Sequence, residues 1–190
     1  MLKLKLPQLY IIPFLIIGLF LSFENIIIEL NKLKPFTSIA ETTAALGEID
    51  QRKMEHAVIS KVVDGDTVKL ESGETVRYIG IDTPETKHPN KPVQCFGKEA
   101  SNKNTELVEG KEVLLEKDIS DTDRYGRLLR YVYLPNPEAT DEAIFVNEYL
   151  IEQGYAQLLT YPPDVKYDKL LRDAEIQARK EQKGLWSACN

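Results

Sequence analysis

The stretch Ala57 to Ile81, AVISKVVDGDTVKLESGETVRYIGI, decides the fold. Three apolar runs, Ala57 to Val63, Thr67 to Leu70 and Thr75 to Ile81, are separated by Asp64-Gly65-Asp66 and Glu71-Ser72-Gly73. Val, Ile and Thr suit a pleated, half-buried surface, and the Asp-Gly and Ser-Gly pairs allow tight reversals between neighbouring strands. Three strands in such close succession predict an antiparallel meander.

Downstream, Ala100, Asn104, Leu107 and Val108 recur at helical spacing, with Gly110 placed as a C-cap. Val113 to Glu116 and Leu128 to Leu134 read as further strands. Asn147 to Gln153, ahead of Gly154, reads as a short helix. Tyr167, Leu170, Leu171, Ala174 and Ala178 mark one face of a last helix from about Asp164 to Lys183. The interval Leu134 to Ile144, with Pro135, Pro137 and several acids, reads as a surface loop. Strands and helices do not alternate throughout, so the pattern predicts an α+β chain rather than a parallel sheet. The expected core is a five-stranded closed barrel of the oligonucleotide-binding (OB-fold) type with three α-helices.

Upstream, Leu6 to Phe23 is a run of 18 residues without a charge, preceded by Lys3 and Lys5 and followed by Glu24. This is the pattern of a membrane-targeting hydrophobic helix whose positive flank stays in the cytoplasm, so the rest of the chain is expected on the extracytoplasmic side. No small-x-small cleavage pattern follows directly. Residues 1–24 are therefore read as an uncleaved membrane anchor, with a cleaved signal peptide as the alternative. Residues 25–55 read as a linker, and 56–190 as the folded domain.

Composition narrows the classes. The 190 residues carry 24 Lys+Arg against 30 Asp+Glu, a net charge of -6. Because residues 1–55 balance six bases with six acids, the whole acidic excess belongs to the domain. Bulk charge therefore does not drive this chain onto a polyanion, and any contact with nucleic acid is local. Two cysteines, Cys95 and Cys189, exclude a four-thiolate zinc site and allow one disulfide.

Three clusters are candidates for chemistry. Val63-Asp64-Gly65-Asp66-Thr67 is on its own an ordinary Asp-Gly turn. Ile81-Asp82-Thr83-Pro84-Glu85-Thr86, with Arg77 before it, adds further carboxylates and a proline-fixed turn at a strand end. Asp64, Asp66, Asp82 and Glu85 gathered at one barrel mouth repel one another, and such hard oxygen donors suit Ca2+ or Mg2+. Turn capping and solvation are the plainer alternative for Asp82 and Glu85. Asp123-Arg124-Tyr125-Gly126-Arg127 reads either as a polar hairpin turn or as a source of guanidinium forks for phosphate.

Together these clusters resemble the staphylococcal-type (micrococcal) nucleases, or thermonucleases. The resemblance spans about His56 to Ser187. It rests on Val63 to Val68, Arg77, Asp82 to Pro89, Phe96 to Ser101, Asp123 to Arg127 and the closing Gly184-Leu185-Trp186-Ser187. It implies calcium-dependent endonuclease cleavage of DNA and RNA phosphodiesters, leaving 3'-phosphates, by a monomer. Residue by residue, it implies Asp66, Asp82 and the carbonyl of Thr83 as Ca2+ ligands and Glu85 beside the attacking water. Arg77 and Arg127 fall on the scissile phosphate, with Lys87, Tyr125 and Tyr161 along the substrate. Leu159 departs from the pattern, standing where the family carries a second aromatic. In a chain expected to be exported, Cys95 and Cys189 point to a bridge, with two unpaired thiols as the alternative. Two other classes remain: a catalytically silent nucleic-acid-binding module on the same barrel, and a structural membrane-tethered domain without substrate.

Overall fold

A computed structural model describes residues 54–86, 92–136 and 143–189. The hydrophobic segment 1–24, all but the last two residues of the linker, and Lys87 lie outside the described residues. Among those described, no helix is long and apolar enough to cross a membrane.

Strands β1 (Glu55–Asp64), β2 (Thr67–Leu70) and β3 (Thr75–Tyr78) form the antiparallel meander. After them come β4 (Ile81–Asp82), helix α1 (Gly97–Val108), β5 (Glu112–Glu116) and β6 (Leu128–Pro135). The chain continues through β7 (Ala143–Phe145), α2 (Val146–Glu152), β8 (Gln157–Leu158), α3 (Asp168–Lys180) and α4 (Leu185–Ala188). β5 pairs antiparallel with both β1 and β6, and the first residues of β6 run parallel to β3, Val76 opposite Leu128 and Tyr78 opposite Arg130. Five strands thus close into a mixed barrel, which leaves β1, β2, β3, β5 and β6 no long unpaired edge.

Several elements differ from the sequence reading. The run Thr75 to Ile81 is not one strand: Gly80 takes φ 79° and breaks it, and Ile81–Asp82 pairs instead with β8. A side chain at Gly80 would also meet Leu171, since a Cβ there would lie 2.5 Å from the Leu171 Cδ1. The interval Leu134 to Ile144 is paired at its ends, Leu134 opposite Ile144 and Pro135 opposite Ala143. The last helix starts at Asp168, four residues later than the apolar spacing indicates, because Asp164 is bridged to Tyr161 and its carboxylate serves another loop. Among the described residues four helices, α4 being a single turn, stand where three were expected in the domain.

The barrel interior holds Ile59, Val62, Val68, Val76, Val113, Leu115 and Val132, and Leu150, Ile151 and Leu171 cover it from α2 and α3. A second cluster of Ile79, Leu114, Tyr131 and Tyr133 sits on the other side of β5 and β6, with Phe145 and Tyr167 packed against it. Its rings meet edge-on or stacked at 4.7 to 5.9 Å, and the hydroxyls of Tyr133 and Tyr167 both donate to Glu116 Oε2 at 2.9 Å. Buried polar side chains lock the helices on. Asn147 of α2 accepts the Val132 N–H at 2.9 Å and donates to the Ile79 carbonyl at 2.8 Å, and Asn104 of α1 accepts the Tyr78 hydroxyl at 3.1 Å. Cys95, ahead of α1, is disulfide-bonded to Cys189, 94 residues away at the end of α4.

Asn147→Ala leaves an N–H and a carbonyl unpaired in the core. It is expected to lower the unfolding free energy by about 2 to 5 kcal/mol, read from urea unfolding, and a loss below ~1 kcal/mol would contradict this account of how α2 is held.

Candidate active site

The site starts at the β1–β2 turn. A Cβ on Gly65 would stand 2.6 Å from Thr83 Oγ1, so glycine is required there for the 81–86 turn to lie against this one. The two turns are then bonded together. Asp66 Oδ2 accepts the backbone N–H of Thr83 at 2.8 Å and its hydroxyl at 2.9 Å, and Asp64 Oδ1 accepts the Thr86 hydroxyl at 2.8 Å. Thr67, next along the chain, donates its hydroxyl to Asp66 Oδ1 at 3.0 Å.

Arg77 lies opposite Thr67 in the β2–β3 register, which carries its guanidinium across to this junction. Nη1 donates to the carbonyls of Ile81 at 2.8 Å and Tyr78 at 3.0 Å and stands 3.3 Å from Asp66 Oδ2, while Nη2 donates to Asp82 Oδ1 at 2.9 Å. The Arg77 and Asp66 side chains are 12% and 9% exposed, whereas that of Asp82 is 61% exposed. The inner pair is therefore fixed, and the bond to Asp82 is the one an incoming anion can displace. Arg77, which the resemblance places on the scissile phosphate, is here joined to Asp66 and Asp82 and orders them.

The charges bear on one another. Although its side chain reaches solvent, the partial desolvation of Asp82 where it lies against the neighbouring turn raises its carboxyl above the usual range, and Asp66 and Glu85 add to that while Arg77 opposes it. Asp64 is likewise raised, first by burial and also by Asp66 and Glu85, against the bonds from Thr86 and Gly65. Glu85 is thus within electrostatic reach of both. Negative charge that one arginine does not fully compensate is the setting a divalent cation relieves. Asp66, Asp82 and the Thr83 carbonyl are hard oxygen donors of the right class. Among the described residues no three of His, Cys, Asp and Glu converge as a metal cluster.

Arg127 closes the other side. Its turn is built by Asp123, whose Oδ1 accepts the N–H groups of Tyr125 at 2.9 Å and Arg127 at 3.0 Å, and Gly126 supplies the φ of 78° that the reversal needs. The Arg127 Nε donates to Asp123 Oδ2 at 2.7 Å. Burial alone would raise Asp123, but the donations from Arg127 and Tyr125 outweigh it and hold the carboxyl below its usual range. Arg77, Arg127, Tyr125, Tyr161 and Leu159 all line one cavity of about 480 Å³. Tyr125 and Tyr161 are 68% and 70% exposed, and the guanidinium carbons of Arg124 and Arg127 lie 4.7 and 5.5 Å from the Tyr125 ring centroid. Arg77 is thus shared between the carboxylate junction and this cavity.

Residues that the sequence reading did not single out complete the site. Thr86 and Thr67 orient carboxylates. Asp164, buried beside the cavity, accepts the N–H groups of Ile119 and Ser120 at 3.0 and 2.7 Å and so fixes the Tyr161 turn to the loop ahead of Asp123. An acid after Pro162-Pro163 carries no signal in the sequence that would reveal this task.

Comparison with known proteins agrees with this geometry. The Staphylococcal nuclease homologue family matches residues 75–188. Endonuclease YncB of Bacillus subtilis (strain 168) is 38% identical over 143 residues, which span 73% of this chain and 64% of that protein. Thermonuclease of Staphylococcus intermedius is 41% identical over 135 residues, 70% of this chain and 76% of its own. Thermonuclease of Staphylococcus hyicus is 39% identical over 132 residues, 68% of this chain and 74% of its own. With the barrel, the paired turns and the arginines already on one cavity, these matches establish that the chain belongs to the staphylococcal nuclease homologue family.

Proposed function

We propose that the chain is a Ca2+-dependent nuclease that hydrolyses phosphodiester bonds of DNA and RNA. The observation that carries this reading is the bonded group Asp66, Arg77, Asp82 and Thr83, placed so that Arg77 also opens on the cavity lined by Arg127, Tyr125 and Tyr161. The endonuclease and thermonuclease relatives support the same activity.

A phosphodiester is anionic and repels hydroxide, so the protein must neutralise charge developing on the phosphoryl oxygens. Asp66, Asp82 and the Thr83 carbonyl would hold the ion, which when bound supplies Lewis-acid polarisation and charge neutralisation. Glu85 takes the proton of the attacking water as its oxygen bonds to phosphorus. The bond from phosphorus to the 5' oxygen breaks, the leaving oxygen is protonated from surrounding water, and the product carries a 3'-phosphate. Arg127 and the displaced edge of Arg77 meet the phosphoryl oxygens, Tyr125 and Tyr161 offer faces on which bases stack, and Lys87 meets a neighbouring phosphate. The disulfide and the uncharged run Leu6 to Phe23 support an extracytoplasmic enzyme, anchored or secreted.

Chelation of Ca2+ is expected to abolish cleavage of DNA and readdition to restore it; cleavage that persists in chelator would refute the metal assignment. Arg127→Lys keeps the charge but loses the planar fork, and kcat should fall on the order of 100-fold; turnover near that of the parent would mean that charge alone suffices. Glu85→Gln should reduce kcat by about 100-fold or more with KM little changed. A large rise in KM instead would reassign Glu85 to substrate or metal retention.

A further inference from the structure

Glu85 and Gln94 are nine residues apart and bonded to each other twice. The Glu85 N–H donates to Gln94 Oε1 at 2.8 Å, and the Gln94 N–H donates to the Glu85 carbonyl at 2.9 Å. The backbone that carries the Glu85 carboxylate is therefore set by Gln94, and Gln94 is in turn held from the residues that follow it. Its carbonyl accepts the Gly97 N–H at 3.1 Å, and Gly97 lies so close to the turn that a Cβ there would be 2.9 Å from the Pro84 carbonyl oxygen and 3.2 Å from that of Glu85.

Two anchors act between Gln94 and Gly97. Phe96 is held in the left-handed region at φ 65°, a conformation costing about 1 to 2 kcal/mol for a residue with a Cβ, and its ring stacks on Tyr155 at 5.6 Å. Cys95 is bonded to Cys189, and α4, which ends there, is fixed by the Leu185 N–H donating to the Gly154 carbonyl at 2.9 Å. Gly154 and Gly184 approach so closely that a Cβ on either would fall 2.3 Å from a backbone oxygen of the other segment. The aromatic stack and the disulfide thus run to one turn, Gly154–Tyr155, and together keep Phe96 in its unfavourable conformation. Both cysteines are exposed, and neither belongs to the catalytic group.

We propose that Gln94 and the Cys95–Cys189 bridge are positioning residues for Glu85, so that turnover is full with the bridge closed and falls when a dithiol reductant opens it. One thiolate of the dithiol attacks a bridge sulfur, breaking the S–S bond and forming a mixed disulfide. Its second thiol displaces the protein sulfur, so that two electrons and two protons pass to Cys95 and Cys189 and the reagent leaves as its own disulfide. Phe96 is then free to relax, and the Gln94 junction shifts with it. This inference rests on the reading of Glu85 as the group that takes the proton of the attacking water.

The test compares the oxidised full chain, the same chain in dithiothreitol, and Gln94→Ala and Gln94→Glu with the bridge intact. It measures kcat and KM on single-stranded DNA with Ca2+, and amide hydrogen exchange at Glu85 and Gln94. Reduction and Gln94→Ala should each lower kcat about tenfold with KM changed less than about twofold, since small misplacement of a reacting group is costly. Exchange at both amides should rise, while Gln94→Glu, whose carboxylate accepts the same N–H, should retain most of the rate. If the reduced chain unfolds, Gln94→Ala decides the outcome. Unchanged kcat in Gln94→Ala, or unchanged exchange at the two amides, overturns the proposal. An oxidised parent that cleaves nothing would defeat the nuclease reading instead, and the exchange data would still decide whether Gln94 and the bridge hold Glu85.

Discussion

A nearly buried carboxylate, that of Asp66, is what the rest of the site depends on. Placing a charge there costs several kcal/mol unless it is paired and fully hydrogen-bonded. The chain meets that cost with four partners: the N–H and hydroxyl of Thr83, the hydroxyl of Thr67 and the guanidinium of Arg77. These four groups come from three residues, Thr67 at the start of β2, Arg77 in β3 and Thr83 in the 81–86 turn. To satisfy this one acid, the β1–β2 turn, β3 and the 81–86 turn have to stand in fixed relation, and that relation also delivers Asp82 and Glu85 to the same place.

The glycines and the barrel serve the same end. Gly65 lets one turn approach the other, and Gly80 breaks the third run so that Asp82 leaves the barrel and pairs toward β8. Closure through β3 and β6 sets Arg77 directly opposite Leu129, two residues beyond Arg127, so that a guanidinium from β3 and one from the turn that leads into β6 reach one cavity. The aromatic cluster behind β5 and β6 and the buried Asn147 hold the strands that carry them.

Much of this was legible in the sequence because it depended on local chemistry. The β-branched runs broken by Asp-Gly and Ser-Gly gave the meander, and the spacing of Ala100, Asn104 and Val108 gave α1. The acids at the two turns and the arginines Arg77 and Arg127 gave residues that the fold brings to the candidate site. What was hidden depended on partners far along the chain. Strands of two or three residues such as β7 and β8 are too short to show a period. The late start of α3 follows from Asp164 bonding to Ile119 and Ser120 across 45 and 44 residues, which no pattern around Asp164 records. That Arg77 is bonded to Asp66 and Asp82 was decided by its place in the β2–β3 register. The task of Gln94 was concealed in the same way, since its partner Glu85 becomes its neighbour only after the chain has doubled back.

The parallel seam between β3 and β6 joins residues some fifty positions apart, Val76 with Leu128. Bringing such distant segments together must precede any gain from their contact, which makes this step entropically demanding. Until it happens, Arg77 rides on one hairpin and Arg127 on another, with nothing to set their separation. Juxtaposition of the two arginines and completion of the barrel are therefore a single event, and a chain caught short of closure has the parts of the candidate site without having assembled it.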